Sequence, residues 1–95
     1  MGVRVRFPGT FRFKIGGVSE VTVDVDPDGD TVLHVLQRLT GRFPELAETL
    51  CDQDGRFRPT MQIYVNDEHV RFRQGLQTIV SYNDLVYIVP MVMGG

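Results

Sequence analysis

Two stretches near the start of the chain alternate between apolar and polar residues. The first, "VRVRF", spans residues 3–7, and the second, "EVTVDV", spans residues 20–25. An alternation of period two is typical of a strand with one buried face. The pair Gly16-Gly17 between them is a turn signal, so the sequence predicts a hairpin.

The segment that follows predicts the main helix. Thr31 or Asp30 can cap its N-terminus, because their side chains accept a hydrogen bond from a free backbone N–H. Pro44 limits the helix, although "ELAETL" after it can form a further turn. Apolar residues repeat at helical spacing and form one stripe that can pack on a sheet. The stripe consists of Val32, Val35, Leu36, Leu39 and Phe43.

The second half of the chain predicts the strands that complete the sheet. "MQIYV" (residues 61–65) and "LVYIV" (residues 85–89) are predicted strands, and "HVRF" (residues 69–72) can form a short one. Residues 75–84 are predicted to be mostly irregular. A mixed sheet of four to five strands packed on one main helix is an α+β fold. With the first and last strands side by side in its middle, it is the β-grasp or ubiquitin-like arrangement.

Composition indicates one small domain in a reducing compartment. The 95 residues carry a formal net charge of −2 and include a single cysteine, Cys51. A lone cysteine cannot form an internal disulfide, so we expect the cytoplasm. No stretch approaches the roughly 20 apolar residues of a membrane helix, and the charge balance does not favour nucleic acid. We expect a free monomer without membrane or nucleic-acid partners.

The sequence predicts neither a metal site nor a catalytic nucleophile. Asp24, Asp26 and Asp28 match the start of a calcium-binding loop, whose twelfth position requires a bidentate Glu. That position is Val35, on the apolar stripe, so we expect the acidic turn "DVDPDGD" to be solvated. Cys51 follows an apolar stretch and lacks the sequence signature of a nucleophile. We interpret it as a reduced, partly buried structural residue.

The end of the chain, "IVPMVMGG", combines a strand, a proline and two glycines. Pro90 cannot donate to a sheet ladder, so strand pairing should stop there. We therefore predict a β-grasp domain, residues 1–90, and a flexible C-terminal tail, residues 91–95. Glycines without a Cβ would let this tail thread a narrow channel in a partner and leave its carboxylate open to attack. We expect a partner to contact Pro90, Met91, Val92, Met93, Gly94 and Gly95.

The order of elements and the ending resemble the MoaD/ThiS ubiquitin-like sulfur carriers, whose chains finish in a strand, a proline and a segment such as "VAGG". The resemblance covers nearly the whole chain. Within the family, "FPGTFR", the "GG" at residues 16–17 and "IYVNDEHVRF" (residues 63–72) are most similar to the CysO-type carriers of cysteine biosynthesis. Met93, in place of a small residue, and "SYND" (residues 81–84), in place of a glycine-containing turn, depart from the pattern.

The resemblance implies a carrier protein that is not itself an enzyme. An E1-like activating enzyme would use Mg-ATP to adenylate the Gly95 carboxylate, and a sulfur source would convert it into a thiocarboxylate. The carrier itself would bind no cofactor and no metal. The acceptor would make cysteine, molybdopterin, thiamine or a thio-natural product, and a PLP-dependent enzyme similar to cysteine synthase is favoured.

Two other functions fit the same tail. A ubiquitin-like modifier would join Gly95 to lysine side chains through isopeptide bonds. The small subunit of a molybdopterin synthase would insert its tail into the large subunit. All three functions imply activation or insertion of the same carboxyl terminus.

The resemblance also implies which face of the sheet a partner contacts. Family members bury the positions of Val86 and Ile88, and alternation then points the intervening residues out of the sheet. Exposed aliphatic and tyrosine side chains flanked by arginines are typical of an interface core, although a covering loop would also explain them. The predicted contact residues are Leu85, Tyr87, Val89, Tyr64, Arg4 and Arg6.

Overall fold

The computed structural model of the protein describes residues 2–89. Its strands are β1 (Gly2–Arg6), β2 (Glu20–Asp24), β3 (Asp30–Thr31), β4 (Gln62–Val65), β5 (Glu68–His69), β6 (Ile79–Val80) and β7 (Leu85–Val89). Its α-helices are α1 (Val32–Arg42) and α2 (Pro44–Leu50). Short 3-10 helices span Gly9–Lys14, Val70–Phe72 and Gly75–Gln77.

The main sheet has five strands in the order β2-β1-β7-β4-β5. β1 and β7 pair in parallel at its centre, whereas β2, β4 and β5 each pair antiparallel to a neighbour. A mixed sheet with the first and last strands adjacent and helices on one face is the ubiquitin-like β-grasp. The predicted α+β fold is therefore confirmed.

The core lies between one face of this sheet and the apolar stripe of α1. Alternate residues of β1 and β2 are buried, as their sequence pattern predicts. Four of the five predicted stripe residues are buried, namely Val32, Val35, Leu36 and Leu39. Phe43, the fifth, is partly buried and ends α1 as its C-cap, and Pro44 then begins α2. No helix within residues 2–89 has the length and apolar character needed to cross a bilayer.

Two connections differ from the sequence prediction. Gly16 and Gly17 do adopt positive φ angles, of 79° and 86°, but they end a long connection rather than a tight hairpin turn. This connection contains the 3-10 helix Gly9–Lys14 between β1 and β2. The segment of residues 75–84, predicted to be irregular, contains β6, which pairs with β3 in a second sheet of two strands. Strands of two residues are too short to show a period in sequence.

Two arginines of α1 cover the outer edge of β2. Arg38 Nη1 donates to the backbone oxygen of Asp24 at 3.0 Å, and Arg42 Nη1 donates to that of Thr22 at 3.1 Å. β2 is an edge strand, so its outward carbonyls have no partner strand. Side chains from the helix therefore take the place of that strand.

Asp30 shows that the prediction of a solvated acidic turn is wrong at its last residue. Its side chain is only 5% exposed, and its two oxygens contact Arg38 Nη1 at 2.5 Å and His34 Nδ1 at 2.6 Å. Burial alone raises the pKa of Asp30, but hydrogen bonds from Arg38, His34 and the backbone N–H groups of Thr31 and Asp26 hold it well below its usual range. The carboxylate thus ties the start of α1 to the preceding loop, while Thr31 provides the predicted N-cap.

We expect Asp30→Asn to lower the free energy of unfolding by about 1–3 kcal/mol at pH 7, because it removes the charge that Arg38 and His34 contact. Because folding lowers the pKa of Asp30, its contribution is complete above the unfolded-state pKa and is lost as pH falls toward the folded-state value. The difference between wild type and variant should therefore shrink below about pH 4. Urea unfolding at several pH values measures it. Asp28→Asn, at an exposed position of the same loop, is the control and should change stability little.

Candidate functional site

The outer face of the main sheet, opposite α1, carries one row of side chains that crosses all five strands. Backbone pairing aligns Glu20 with Arg6, Arg6 with Tyr87, Tyr87 with Tyr64, and Tyr64 with His69. Paired residues of neighbouring strands point to the same side of a sheet. The central strand β7 therefore presents Tyr87 in the middle of this row.

The structure places all six predicted contact residues of the domain on this outer face. In β7, Val86 and Ile88 are fully buried, so the predicted alternation is confirmed. Tyr87 is 37% exposed. Both arginines are exposed, and the other three residues are partly buried. The six residues are Leu85, Tyr87, Val89, Tyr64, Arg4 and Arg6.

The two arginines on β1 have different electrostatic surroundings. Arg6 Nη2 contacts Glu20 Oε1 at 2.9 Å, and both side chains are partly exposed. Arg4, paired in register with Leu85, forms no ion pair with any residue in the range 2–89. An exposed cation beside an aliphatic and a tyrosine side chain can bind a carboxylate of another molecule.

A hydrogen-bond network at the β5 edge adds residues that sequence reasoning missed. His69 Nε2 lies 2.6 Å from Gln62 Oε1, and the backbone N–H of Arg71 donates to His69 Nδ1 at 3.0 Å. The His69 ring also contacts Tyr64 edge-on, with centroids 5.1 Å apart. The sequence predicts a strand over "HVRF", but β5 ends at His69 and residues Val70–Phe72 form a 3-10 helix. No sequence period signals this network, because it joins side chains of two strands to a backbone N–H group.

The last described strand leads toward the predicted reactive end. Val89 pairs with Gln62 at the start of β4, at the same end of the sheet where β1 ends. The predicted tail residues lie outside the described residues, as does the proposed boundary between domain and tail. They are Pro90, Met91, Val92, Met93, Gly94 and Gly95.

Known proteins resemble this chain over its full length. The profile of the ThiS family matches residues 5–95. The chain belongs to the ThiS family. Sulfur carrier protein CysO of Mycobacterium tuberculosis is 37% identical over 97 residues, which cover 100% of both chains. Small archaeal modifier protein 3 of Haloferax volcanii is 33% identical over 95 residues, again covering 100% of both.

A solved structure shows the same ThiS-family fold. A chain of the Amycolatopsis orientalis BexX/CysO complex superposes with a TM-score of 0.77 and is 32% identical. The match covers 98% of this chain and 99% of that one. The similarity to MoaD/ThiS carriers, and to CysO among them, is therefore confirmed.

The described residues were also compared with the requirements of a metal site and of a cysteine nucleophile. Among residues 2–89, no three His, Cys, Asp or Glu side chains are grouped so that they could hold a metal ion. Cys51 is partly buried, as predicted. Burial raises the pKa of its thiol, the neighbouring Asp52 raises it further, and Arg58 offsets this only in part. The thiolate is the nucleophilic form, so this environment does not favour catalysis by Cys51.

Adjacent residues of β7 test the assignment of the two faces. Tyr87→Lys should change the free energy of unfolding by less than about 1 kcal/mol, since this side chain is partly in water. Ile88→Ala should lower it by about 2–4 kcal/mol, because it leaves a cavity in the core. Urea unfolding measures both variants. A Tyr87→Lys domain that fails to fold would show that this side chain belongs to the core.

Proposed function

We propose that this ThiS-family protein is a sulfur carrier of the CysO type, which carries sulfur as a thiocarboxylate on Gly95. The observation that carries the proposal is the full-length similarity to sulfur carrier protein CysO, at 37% identity, together with a ThiS-family match that extends to residue 95. The Gly94-Gly95 sequence adds a chemical reason, because residues without a Cβ leave the carboxylate accessible in a narrow channel. The carrier acts as a co-substrate, and its own C-terminus is the group that reacts.

The proposed chemistry has two steps on an E1-like activating enzyme, which binds the Mg-ATP. A Gly95 carboxylate oxygen attacks the α-phosphorus of ATP, and pyrophosphate leaves. Sulfide then attacks the acyl carbon of the mixed anhydride, and AMP leaves, so the carboxylate becomes a thiocarboxylate. Adenylation is needed because a carboxylate oxygen is a poor leaving group, whereas AMP is a good one.

The acceptor that we favour is a PLP-dependent enzyme similar to cysteine synthase, which would use the sulfur to make cysteine. The similarity to CysO supports this choice over carriers for other products. Carrier and enzymes would meet in the cytoplasm. A reducing environment suits both the thiocarboxylate and the reduced Cys51.

A partner would bind the outer face of the carrier while the C-terminal tail enters the partner's active site. Six extended residues, 90–95, reach at most about 20 Å beyond Val89. A partner that binds Gly95 in its active site must therefore lie close to the same end of the sheet. The partly exposed Leu85, Tyr87 and Val89 on β7 are the nearest described apolar side chains of the outer face along the chain.

A second candidate function is that of a ubiquitin-like protein modifier. The observation in its favour is the 33% identity to small archaeal modifier protein 3 over the full chain. A modifier would form an isopeptide bond from Gly95 to lysines. Mass spectrometry of the protein from its native host separates the two, because a thiocarboxylate adds about 16 Da and conjugates are much larger species.

Deleting Gly95, or adding one residue after it, should abolish thiocarboxylate formation with little effect on folding. A one-residue change moves the carboxylate by about 3.5 Å, and about 1 Å of misplacement can cost on the order of 100-fold in rate. Gly94→Val should act similarly, because a branched side chain cannot pass where only a hydrogen fits. The assay is incubation with the cognate activating enzyme, ATP and sulfide, followed by intact-mass measurement.

Val18→Ser, at an exposed position in the connection between β1 and β2, is the control and should react as wild type does. If the truncated or extended chain gains the sulfur mass at the normal rate, Gly95 is not the reactive residue. That result would contradict the sulfur-carrier function.

A further inference from the structure

Phe72 is a large apolar side chain exposed at the β5 edge of the outer face. It is 68% exposed, its ring lies 6.5 Å from the His69 ring, and the Arg71 guanidinium stacks over it at 4.8 Å. Phe13 is also exposed, at 80%, but it lies on the other side of the molecule, beside Phe43 at the end of α1. Among residues 2–89, two phenylalanines are thus exposed, and one of them adjoins the outer face.

The hydrogen bonds beneath Phe72 fix the conformation of its short 3-10 helix. The Gln62 side-chain amide donates to the backbone oxygen of Thr60 at 3.3 Å, which directs its oxygen toward His69. His69 must then donate from Nε2, and its Nδ1 accepts from the backbone N–H of Arg71. The Gln62 amide, His69 Nε2 and the Arg71 backbone N–H thus each contact an acceptor. Phe72 is therefore presented by a segment that is already ordered before a partner binds, which lowers the entropic cost of binding.

Arg4 on β1 and Arg71 beside β5 can each bind an acidic group of a partner. Arg4 and Arg71 are both exposed, and neither has a carboxylate within ion-pair distance among residues 2–89. Arg6, two residues after Arg4 on β1, is already paired with Glu20. Exposed arginines beside aromatic rings are the composition found at the energetic centre of protein interfaces.

We propose that Phe72 and Arg71 form a docking point for the activating enzyme, in which Phe72 enters an apolar pocket and Arg71 meets a carboxylate at its rim. The inference rests on the proposed function. We assign the activating enzyme as the partner because it acts on a Gly-Gly carboxylate. Two glycines without side chains do not distinguish this carrier from other proteins with the same ending. The enzyme must therefore select its carrier from the folded domain before it consumes ATP.

Steady-state kinetics of carrier-dependent pyrophosphate release, with the cognate activating enzyme, ATP and sulfide, tests this proposal. Phe72→Ser should raise the KM for the carrier by about tenfold or more, since the apolar burial of a phenylalanine is lost, while kcat stays within about twofold. Phe13→Ser removes the same side chain from the helix side and should leave both parameters within about twofold. Thermal unfolding of each variant verifies that the domain is folded.

A charge-reversal pair gives a second, independent measurement. Arg71→Glu should also raise KM, and the effect should weaken at high salt, because it places like charges together. Arg56→Glu, at an exposed position in the loop before β4, is its control.

The outcomes separate this inference from the proposed function. If both the Phe72 and the Arg71 variants keep the wild-type KM, or if only kcat falls, the docking point is overturned while the carrier function stands. If the wild-type chain is not adenylated at all, the proposed function fails and the inference fails with it.

Discussion

The parallel pairing of β1 with β7 is the interaction on which the rest of the structure depends. It joins the two ends of the described chain at the centre of the sheet, with Val5 beside Val86 and Arg6 beside Tyr87. This register buries Val86 and Ile88 and turns Tyr87 outward. A slip of one residue would exchange the two faces of β7, bury the tyrosine and expose the core valine. The same pairing thus determines the core, the outer face and the end of the sheet at which β7 finishes.

Much of this fold is predictable from sequence, because apolar residues recur at regular spacing in its largest strands and in its main helix. The alternation in β1 and β2, and the stripe of α1, each reflect one buried face, and they identify the buried residues correctly. The pairing of β3 with β6 is different, since two-residue strands have no period and their partners are far apart in sequence. Their pairing is set by the tertiary fold, through contacts that no local pattern encodes.

Asp30 was missed for a related reason. Composition and turn chemistry indicate that an acidic loop is solvated, and they are right for the exposed Asp26 and Asp28. The burial of Asp30 depends on His34 and Arg38, which lie one and two helical turns further along. That spacing of four and eight residues was visible in the sequence and could have indicated a shared cluster. The outer-face residues of β7 were predictable by alternation. The network around His69 joins side chains of β4 and β5 to a backbone N–H of a 3-10 helix, and no sequence period encodes such contacts.

The arginines that cover β2 have a consequence for how copies of this protein behave toward one another. An uncovered edge strand is a template for pairing with another chain, and in β-rich proteins such pairing leads to aggregates. In this domain the carbonyls of Thr22 and Asp24 already accept from Arg42 and Arg38. A second molecule could extend the sheet at β2 only by displacing both guanidinium groups. At the opposite edge β5 is only two residues long, so it offers little template. Within residues 2–89, both edges of the sheet therefore disfavour pairing with a second molecule, β2 because it is covered and β5 because it is short.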